Sequence, residues 1–320
     1  MAGQAATELD GEEGDEEINP VAPASTAGAG LRSSAPAGGP SSATSHRAVH
    51  LAPEIPVRLV ATDLDGTLLQ PDGSVSRRTV EAVRAVRRAG IHVVPVTGRP
   101  PRATWEVAKA AGIGPLGVCA NGAALVDVST MEVVELEPIE VAAATALVRS
   151  LRLSLPGALF AAEQAEKLAY EPGFFEVERS WEDFYQRVED ILDALAPKTM
   201  KLIVRQPGCS AGDLIAHLTD GSSHRMSLTS SGLGWVEIAA EGISKAYGTR
   251  RVCQLLGVEQ NEVLAVGDYY NDLPLLAWAG RTAAPANALP EVLAVADRML
   301  PSNGEDGMAQ LLEELAASAS

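Results

Sequence analysis

The chain has 320 residues, a formal charge of -17 and a pI near 4.7, an acidic excess that argues against a nucleic-acid polyanion or an anionic membrane surface as a general partner. A phosphate-bearing ligand would therefore need local positive charge, from a metal or from a few placed lysines and arginines. Cys119, Cys209 and Cys253 are odd in number without a CxxC pair, and the five histidines show no ligand spacing; reduced thiols in a cytoplasm are expected, not a disulfide frame or a His/Cys metal centre.

Residues 1–54 open with an acidic cluster, continue rich in Ala, Gly, Ser and Pro, and offer almost nothing that could form a core; a disordered tail is expected there. The acidic start lacks the basic and apolar stretches of a signal peptide, and no later apolar run reaches the length of a membrane span. From Val57 short apolar strands alternate with amphipathic helices, the pattern of an α/β fold with a doubly wound parallel sheet covered on both faces. The first strand, Val57 to Thr62, ends in Asp63-Leu64-Asp65-Gly66-Thr67. A helix carrying Val80, Val83 and Val86 runs to Gly90, and the strand Ile91 to Val96 leads into Thr97-Gly98-Arg99. Pro95 cannot donate to a sheet ladder, which places it at the strand's end. A helix from Ala103 to Ala111 stops at Gly112, and a strand from Gly117 to Ala120 precedes Asn121-Gly122.

From Ala123 the rhythm changes. A hairpin around Ser129-Thr130 precedes an Ala-rich helix near Ile139 to Leu153; strands follow near residues 158–162, 201–205, 225–229 and 234–239, with helices near Trp181 to Leu195 and Ala211 to Leu218. Strands joined partly by hairpins predict an inserted α+β unit over 123–239, dividing a domain made of 55–122 and 240–320. The parallel rhythm resumes with a helix from Ser244 to Leu256. A buried strand, Glu262 to Val266, then ends in Gly267-Asp268-Tyr269-Tyr270-Asn271-Asp272, and a short helix, the segment Thr282 to Ala288 and a last strand and helix complete the chain.

In an open α/β sheet ligands bind beyond the carboxyl ends of the strands, so a strand stopping at Asp63 delivers that side chain into the crevice. Asp65 can point the same way, and Gly66 permits the tight turn between them. Two such carboxylates can divide the labour of phosphoryl transfer, one attacking phosphorus while holding a divalent cation, the other protonating the leaving oxygen and then activating water. The plain alternative is an Asp-Gly turn without chemistry. Read singly, the other motifs also have plain readings. Thr97-Gly98 is a strand-to-helix turn, Lys245 a solvated residue after the N-cap Ser244, Asn271 and Asp272 helix caps, Arg99 a structural or solvated cation, and Asn121-Gly122 a turn. Lys245 does run against the preference for cations at helix C-termini, which favours a functional role.

Four elements nevertheless stand in order: Asp63-Leu64-Asp65-Gly66-Thr67, Thr97-Gly98-Arg99, Lys245, and Gly267-Asp268-Tyr269-Tyr270-Asn271-Asp272. This order resembles the haloacid dehalogenase superfamily of phosphohydrolases, and the size and position of the insert resemble its Cof-type subfamily with an α+β (C2B-type) cap. The resemblance implies that Asp63 is the nucleophile, forming an aspartyl phosphate, and that Asp65 is general acid and then general base, its backbone carbonyl also reaching the metal. It further implies Mg²⁺ held by Asp63, Asp65 and Asp268. Thr97, through hydroxyl and backbone, and Gly98 would contact the phosphoryl group, Asn271 would contact phosphate or order Asp268, and Asn121 would approach the leaving group from the cap hinge. Lys245 would neutralise charge on the transferring group and on Asp63, and Asp272 would act behind the metal waters or on Lys245. Relatives usually carry a small residue where this chain has Tyr269, and Gly where it has Ala246; Tyr269 bears on the size of the leaving group.

The activity this implies is a Mg²⁺-dependent phosphatase of small phosphorylated metabolites, such as sugar phosphates, pyridoxal phosphate or the phosphorylated ribitylamino-pyrimidine of flavin synthesis. A phosphomutase or phosphotransferase on the same scaffold is the alternative enzyme, and a non-catalytic metabolite-binding regulatory protein the alternative from another class. In the cap, Arg205, His224, Arg225 and Trp235 are the candidates for specificity. Monomer and homodimer are both open.

Overall fold

A computed structural model describes residues 56–175, 184–221 and 226–319. The expected tail over 1–54, Trp181, His224 and Arg225 lie outside the described residues. In chain order the elements are β1 (Leu59–Thr62), α1 (Arg77–Arg88), β2 (His92–Pro95), α2 (Pro101–Ala111), β3 (Leu116–Cys119), β4 (Ala124–Asp127) and β5 (Glu132–Leu136). Then come α3 (Val141–Ser154), β6 (Leu159–Glu163), β7 (Leu168–Tyr170), β8 (Tyr185–Arg187), β9 (Lys201–Arg205), α4 (Ala211–Gly221), β10 (Met226–Thr229) and β11 (Val236–Ala240). The chain closes with α5 (Lys245–Leu256), β12 (Val263–Val266), α6 (Leu273–Trp278), β13 (Arg281–Pro285), α7 (Pro290–Leu293), β14 (Arg298–Leu300) and α8 (Gly307–Ser318).

The central sheet is parallel, in the order β14-β13-β12-β1-β2. Because successive side chains of a strand point to opposite faces, the apolar run of β1 serves two cores at once. Val60 joins Val83, Val86, Val93 and Leu312 on one face, under α1 and α8; Leu59 and Ala61 join Val252, Val263 and Leu275 on the other, under α5 and α6. Such double burial explains why these strands read as unbroken hydrophobic runs. The order brings the C-terminal ends of β1 and β12 side by side, with Thr62 paired to Val266. Pro95 is the last residue of β2, opposite Thr62.

The hairpin β4–β5 pairs antiparallel with β3, and a single bridge from Val96 to Val118 joins β3 to the end of β2. Ala123, Ala124, Val126 and Val128 pack into the same cluster as Val60, and Glu135 of β5 pairs with Arg251 of α5 at 2.7 Å. These contacts tie the hairpin to the first domain, and we propose placing the entry to the inserted unit after Leu136.

The inserted unit is a six-stranded sheet, β10-β11-β9-β6-β7-β8. One face is covered by α3 and α4, whose Leu147, Val148, Leu151, Leu214 and Leu218 meet Phe160, Leu202, Val204, Val236 and Ile238. Alternation sends Lys201, Ile203, Glu237 and Thr229 to the opposite face. The helix expected over Trp181 to Leu195 is not formed by its described part. Tyr185–Arg187 is a strand parallel to Leu168–Tyr170, followed by one short turn of 3₁₀ helix at Ile191–Ala194. The pattern there was set by tertiary contact, since the Tyr185 ring lies 5.9 Å from Phe175 and 6.5 Å from Tyr170. The fold class is the expected one, α/β with an inserted sheet-rich cap.

Candidate active site

Asp63 follows β1 directly, and its N–H donates to Val266 O at 2.9 Å, so the ladder between β1 and β12 fixes where its carboxylate begins. The chain then turns sharply. Gly66 has φ +76, and a Cβ there would come within 2.3 Å of Asp268 Oδ2; only glycine lets the loop after β1 close over the loop after β12. Thr67 exploits that approach, its hydroxyl donating to Asp268 Oδ1 at 2.9 Å.

Lys245 is the first residue of α5. The Ser244 hydroxyl accepts from Tyr247 N–H at 3.3 Å, and this cap sets the helix start so that the lysine side chain enters the sheet's C-terminal end. Its Nζ lies 2.9 Å from Asp63 Oδ1 and 2.7 Å from Asp272 Oδ1. Lys245 and Asp272 are fully buried and Asp63 is nearly so. Burial alone would depress the lysine, but Asp272 and Asp63 outweigh it and hold the ammonium above its ordinary value. Burial pushes the Asp63 carboxyl well up; Lys245 opposes that, while Asp272, Asp268 and Asp65 add to it. Asp268 is pushed up to about 6, by burial first and by Asp272 next.

The carboxylates of Asp63, Asp268 and Asp272 can each offer an oxygen within 4.8 Å of the others. Asp272 is already satisfied, since Oδ1 holds Lys245 and Oδ2 accepts from the N–H groups of Asp268 and Tyr269 at 3.1 Å each. Asp63 and Asp268 are thus the members with ligand capacity, and Asp272 is the residue that positions Lys245 and the loop after β12. Two buried acids and a half-buried third, faced by one ammonium, leave negative charge without a counterion. A hard divalent cation fits this all-oxygen donor set and would draw both raised carboxyls back to their charged forms.

Other expected residues take less expected places. The Asp65 side chain is about half exposed and forms a two-pronged pair with Arg99, Nε to Oδ2 at 2.8 Å and Nη2 to Oδ1 at 2.6 Å. Sequence reasoning took Arg99 for a structural or solvated cation; its place directly after Thr97-Gly98, at the next strand end, was the available signal for this pairing. Thr97 is buried, but its N–H donates to Val118 O at 2.9 Å, so the backbone contact expected of Thr97 cannot come from its own amide. Its hydroxyl oxygen accepts from Arg99 N–H at 3.1 Å, which leaves the O–H proton to donate.

Asn121, Asn271 and Gly98 meet in a buried chain of hydrogen bonds that reaches into the cap. Lys201 Nζ lies 2.9 Å from Gly98 O and 2.5 Å from Glu237 Oε1, and Asn121 Nδ2 donates to Glu237 Oε2 at 2.7 Å. Asn271 Nδ2 donates to Asn121 Oδ1 at 3.1 Å. A carboxylate only accepts, so Glu237 fixes the direction of the whole chain: Asn121 must show it Nδ2, and Asn271 must show Nδ2 to Asn121. Asn271 Oδ1 is then left buried without a partner among the described residues, while one of its two Nδ2 protons is committed to Asn121. Tyr269 turns toward the cap, where a Cβ on Gly232 would sit 3.2 Å from its Cζ. Arg205 and Trp235 stand further along the cap sheet, Arg205 donating to Phe174 O at 2.8 Å and Trp235 packing 5.6 Å from Phe174.

The family model for haloacid dehalogenase-like hydrolases matches residues 60–312. YxeH of Bacillus subtilis is 30% identical over 267 residues, covering 81% of this chain and 98% of its own. The pyridoxal phosphate phosphatase YbhA of Escherichia coli is 28% identical over 265 residues, covering 80% and 97%. Among solved structures, a haloacid dehalogenase-like hydrolase from B. subtilis superposes with a TM-score of 0.71 at 22% identity, covering 81% of this chain and 99% of its own. With the strand-end acids and buried lysine in one notch, and the family model matched across the central sheet and the inserted unit, the chain belongs to the haloacid dehalogenase-like hydrolases, in their Cof-type branch.

Proposed function

We propose that the protein is a Mg²⁺-dependent phosphatase of small phosphorylated metabolites, working through a phosphorylated Asp63. The observation that carries this reading is the buried Lys245 bridging Asp63 and Asp272 at 2.9 and 2.7 Å, beside an Asp268 with ligand capacity to spare. Relatives named as phosphatases across nearly their whole lengths, YbhA among them, support it.

A carboxylate oxygen of Asp63 attacks phosphorus, and the bond to the leaving oxygen breaks as Asp65 supplies its proton. Asp65 then takes a proton from water, whose oxygen attacks phosphorus and breaks the bond to Asp63, releasing phosphate. Lys245 neutralises charge on Asp63 and on the transferring group, and the Thr97 hydroxyl donates to a phosphoryl oxygen. Asp63 and Asp268 would hold Mg²⁺, with the Asp65 backbone carbonyl as a further oxygen ligand; when bound there, the ion supplies charge stabilisation to the phosphoryl oxygens. Before Asp65 can serve, it must leave Arg99, so the observed pair is a resting arrangement of the acid–base group.

The test is hydrolysis of a panel of phosphorylated metabolites by the purified protein with Mg²⁺. Release of inorganic phosphate that stops on chelation and returns on adding Mg²⁺ is expected. Transfer to a sugar hydroxyl in place of water, or full activity in chelator, would reject the proposal.

A further inference from the structure

We propose that Asn287 is a positioning residue for the acid–base group: with Asn303 behind it, it braces the loop from Leu64 to Gln70 and so fixes the point from which the Asp65 carboxyl swings. The inference rests on the phosphatase reading above. β13 and β14 end on the same edge of the parallel sheet as β1, and Asn287 and Asn303 stand in the turns that follow them. Asn287 Nδ2 donates to Gly66 O at 2.8 Å, and its Oδ1 accepts from Asn303 N–H at 2.9 Å. Asn303, which is buried, donates through Nδ2 to Leu69 O at 2.8 Å. Both partners of Asn287 have fixed roles, a carbonyl that only accepts and an N–H that only donates, so its amide has one orientation. An aspartate there could not donate to Gly66 O, and an alanine could do neither.

Gly66 is the reason a brace is needed. A glycine at φ +76 lets the chain turn but restricts it least of any residue, and it lies directly after Asp65. Within the loop, Leu69 N–H donates to Leu64 O at 2.9 Å, which closes the turn without holding the peptide between Gly66 and Thr67. Thr67 holds that peptide from one side, through Asp268, and Asn287 holds it from the other. The Asn303 turn is itself fixed. Glu305 Oε2 accepts from the Ser302 hydroxyl at 2.6 Å and from its N–H at 3.2 Å, and Asp306 Oδ1 accepts from Gln70 Nε2 at 2.7 Å at the far end of the loop. The Asp65 carboxyl is meanwhile held by Arg99 and has to swing away to meet a leaving oxygen. A swinging acid reaches its target reproducibly only from a fixed Cα, and misplacement by about 1 Å costs on the order of 10²-fold in rate.

The experiment compares kcat/KM of the full chain with Mg²⁺ for ribose phosphate, whose alcohol needs a proton as it leaves, and para-nitrophenyl phosphate, whose phenolate leaves without one. This constant covers events up to loss of the alcohol, so the later activation of water does not enter it. Asn287→Ala removes both bonds, and Asn287→Asp keeps the acceptor and loses the donor. Each should lower kcat/KM for the ribose ester by about tenfold or more and for the nitrophenyl ester by less than about threefold, tilting the ratio in the same direction as Asp65→Asn. That ratio does not depend on how much of the enzyme is folded, so a destabilised variant still gives the answer. Equal losses on both esters, or no loss on either, would overturn the inference, while hydrolysis by the parent protein would leave the phosphatase reading standing. A parent protein that releases phosphate from neither ester would defeat that reading and this inference with it.

Discussion

Asp63 is held in a contradiction. Its burial disfavours charge, yet attack on phosphorus needs the anion, and Lys245 at 2.9 Å supplies only part of the compensation. Replacing it with Asn keeps the shape and removes both the charge and the nucleophile. Asp63→Asn should therefore lower kcat by about 10⁴-fold or more, as loss of a nucleophile does elsewhere, with a melting temperature that holds or rises because a costly buried carboxylate is gone. A fall in melting temperature large enough to explain the lost activity would count against this account. The strand-end position of Asp63 was legible in the sequence because a short, mainly apolar run, Leu59-Val60-Ala61 at its centre, leads into it. The partner of Asp65 was not, since a period of two says which way a strand residue points but nothing about a side chain past the strand's end.

At the scale of elements, the loops after β1 and β12 share one small volume. Gly66→Ala would place a methyl 2.3 Å from Asp268 Oδ2 at φ +76, costing about 1–2 kcal/mol in backbone strain alone and displacing a carboxylate that would hold the cation. The expected outcome is a higher Mg²⁺ concentration for half-maximal activity, read by titration, and no change in that value would contradict the proposed geometry. The Lys201–Glu237 pair is nearly closed to solvent, with side chains 4% and 5% exposed. Removing one partner strands the other's charge, so Glu237→Leu should cost about 3–5 kcal/mol in chemical denaturation, while Lys201→Met with Glu237→Leu should recover much of it. An additive double mutant would show that the pair is not coupled. The misplaced helix over Trp181 to Leu195 belongs to this scale too: its residues fit a helical stripe, and only pairing with β7 and an aromatic cluster made Tyr185–Arg187 a strand.

For the molecule as a whole, the sheet order carries the design. Placing β1 between β12 and β2 gathers strand ends that lie some two hundred residues apart; the parallel sheet was legible from the alternation of strands and helices, but this strand order was not. Which sheet the β4–β5 hairpin would join was not, because its local pattern is the same in either. Among the described residues no helix is long and apolar enough to cross a membrane. Interior packing also separates the thiols. Burial pushes Cys119 up to about 12 and Cys253 up to about 11, so at pH 8 both stay protonated in the native state, whereas Cys209 is partly exposed. Titration with a thiol reagent should show one fast cysteine and two that react only on unfolding; three fast thiols would mean that the two cores are looser than described.

The central claim is that a single carboxylate at the end of β1 transiently holds the phosphoryl group. Acid quenching during turnover of a radiolabelled phosphate ester, followed by peptide mapping, tests it most directly. Label should appear on the peptide containing Asp63, vanish in Asp63→Asn and persist longer in Asp65→Asn, where water is no longer activated. Steady hydrolysis with no labelled aspartate, or label at any other residue, would contradict it.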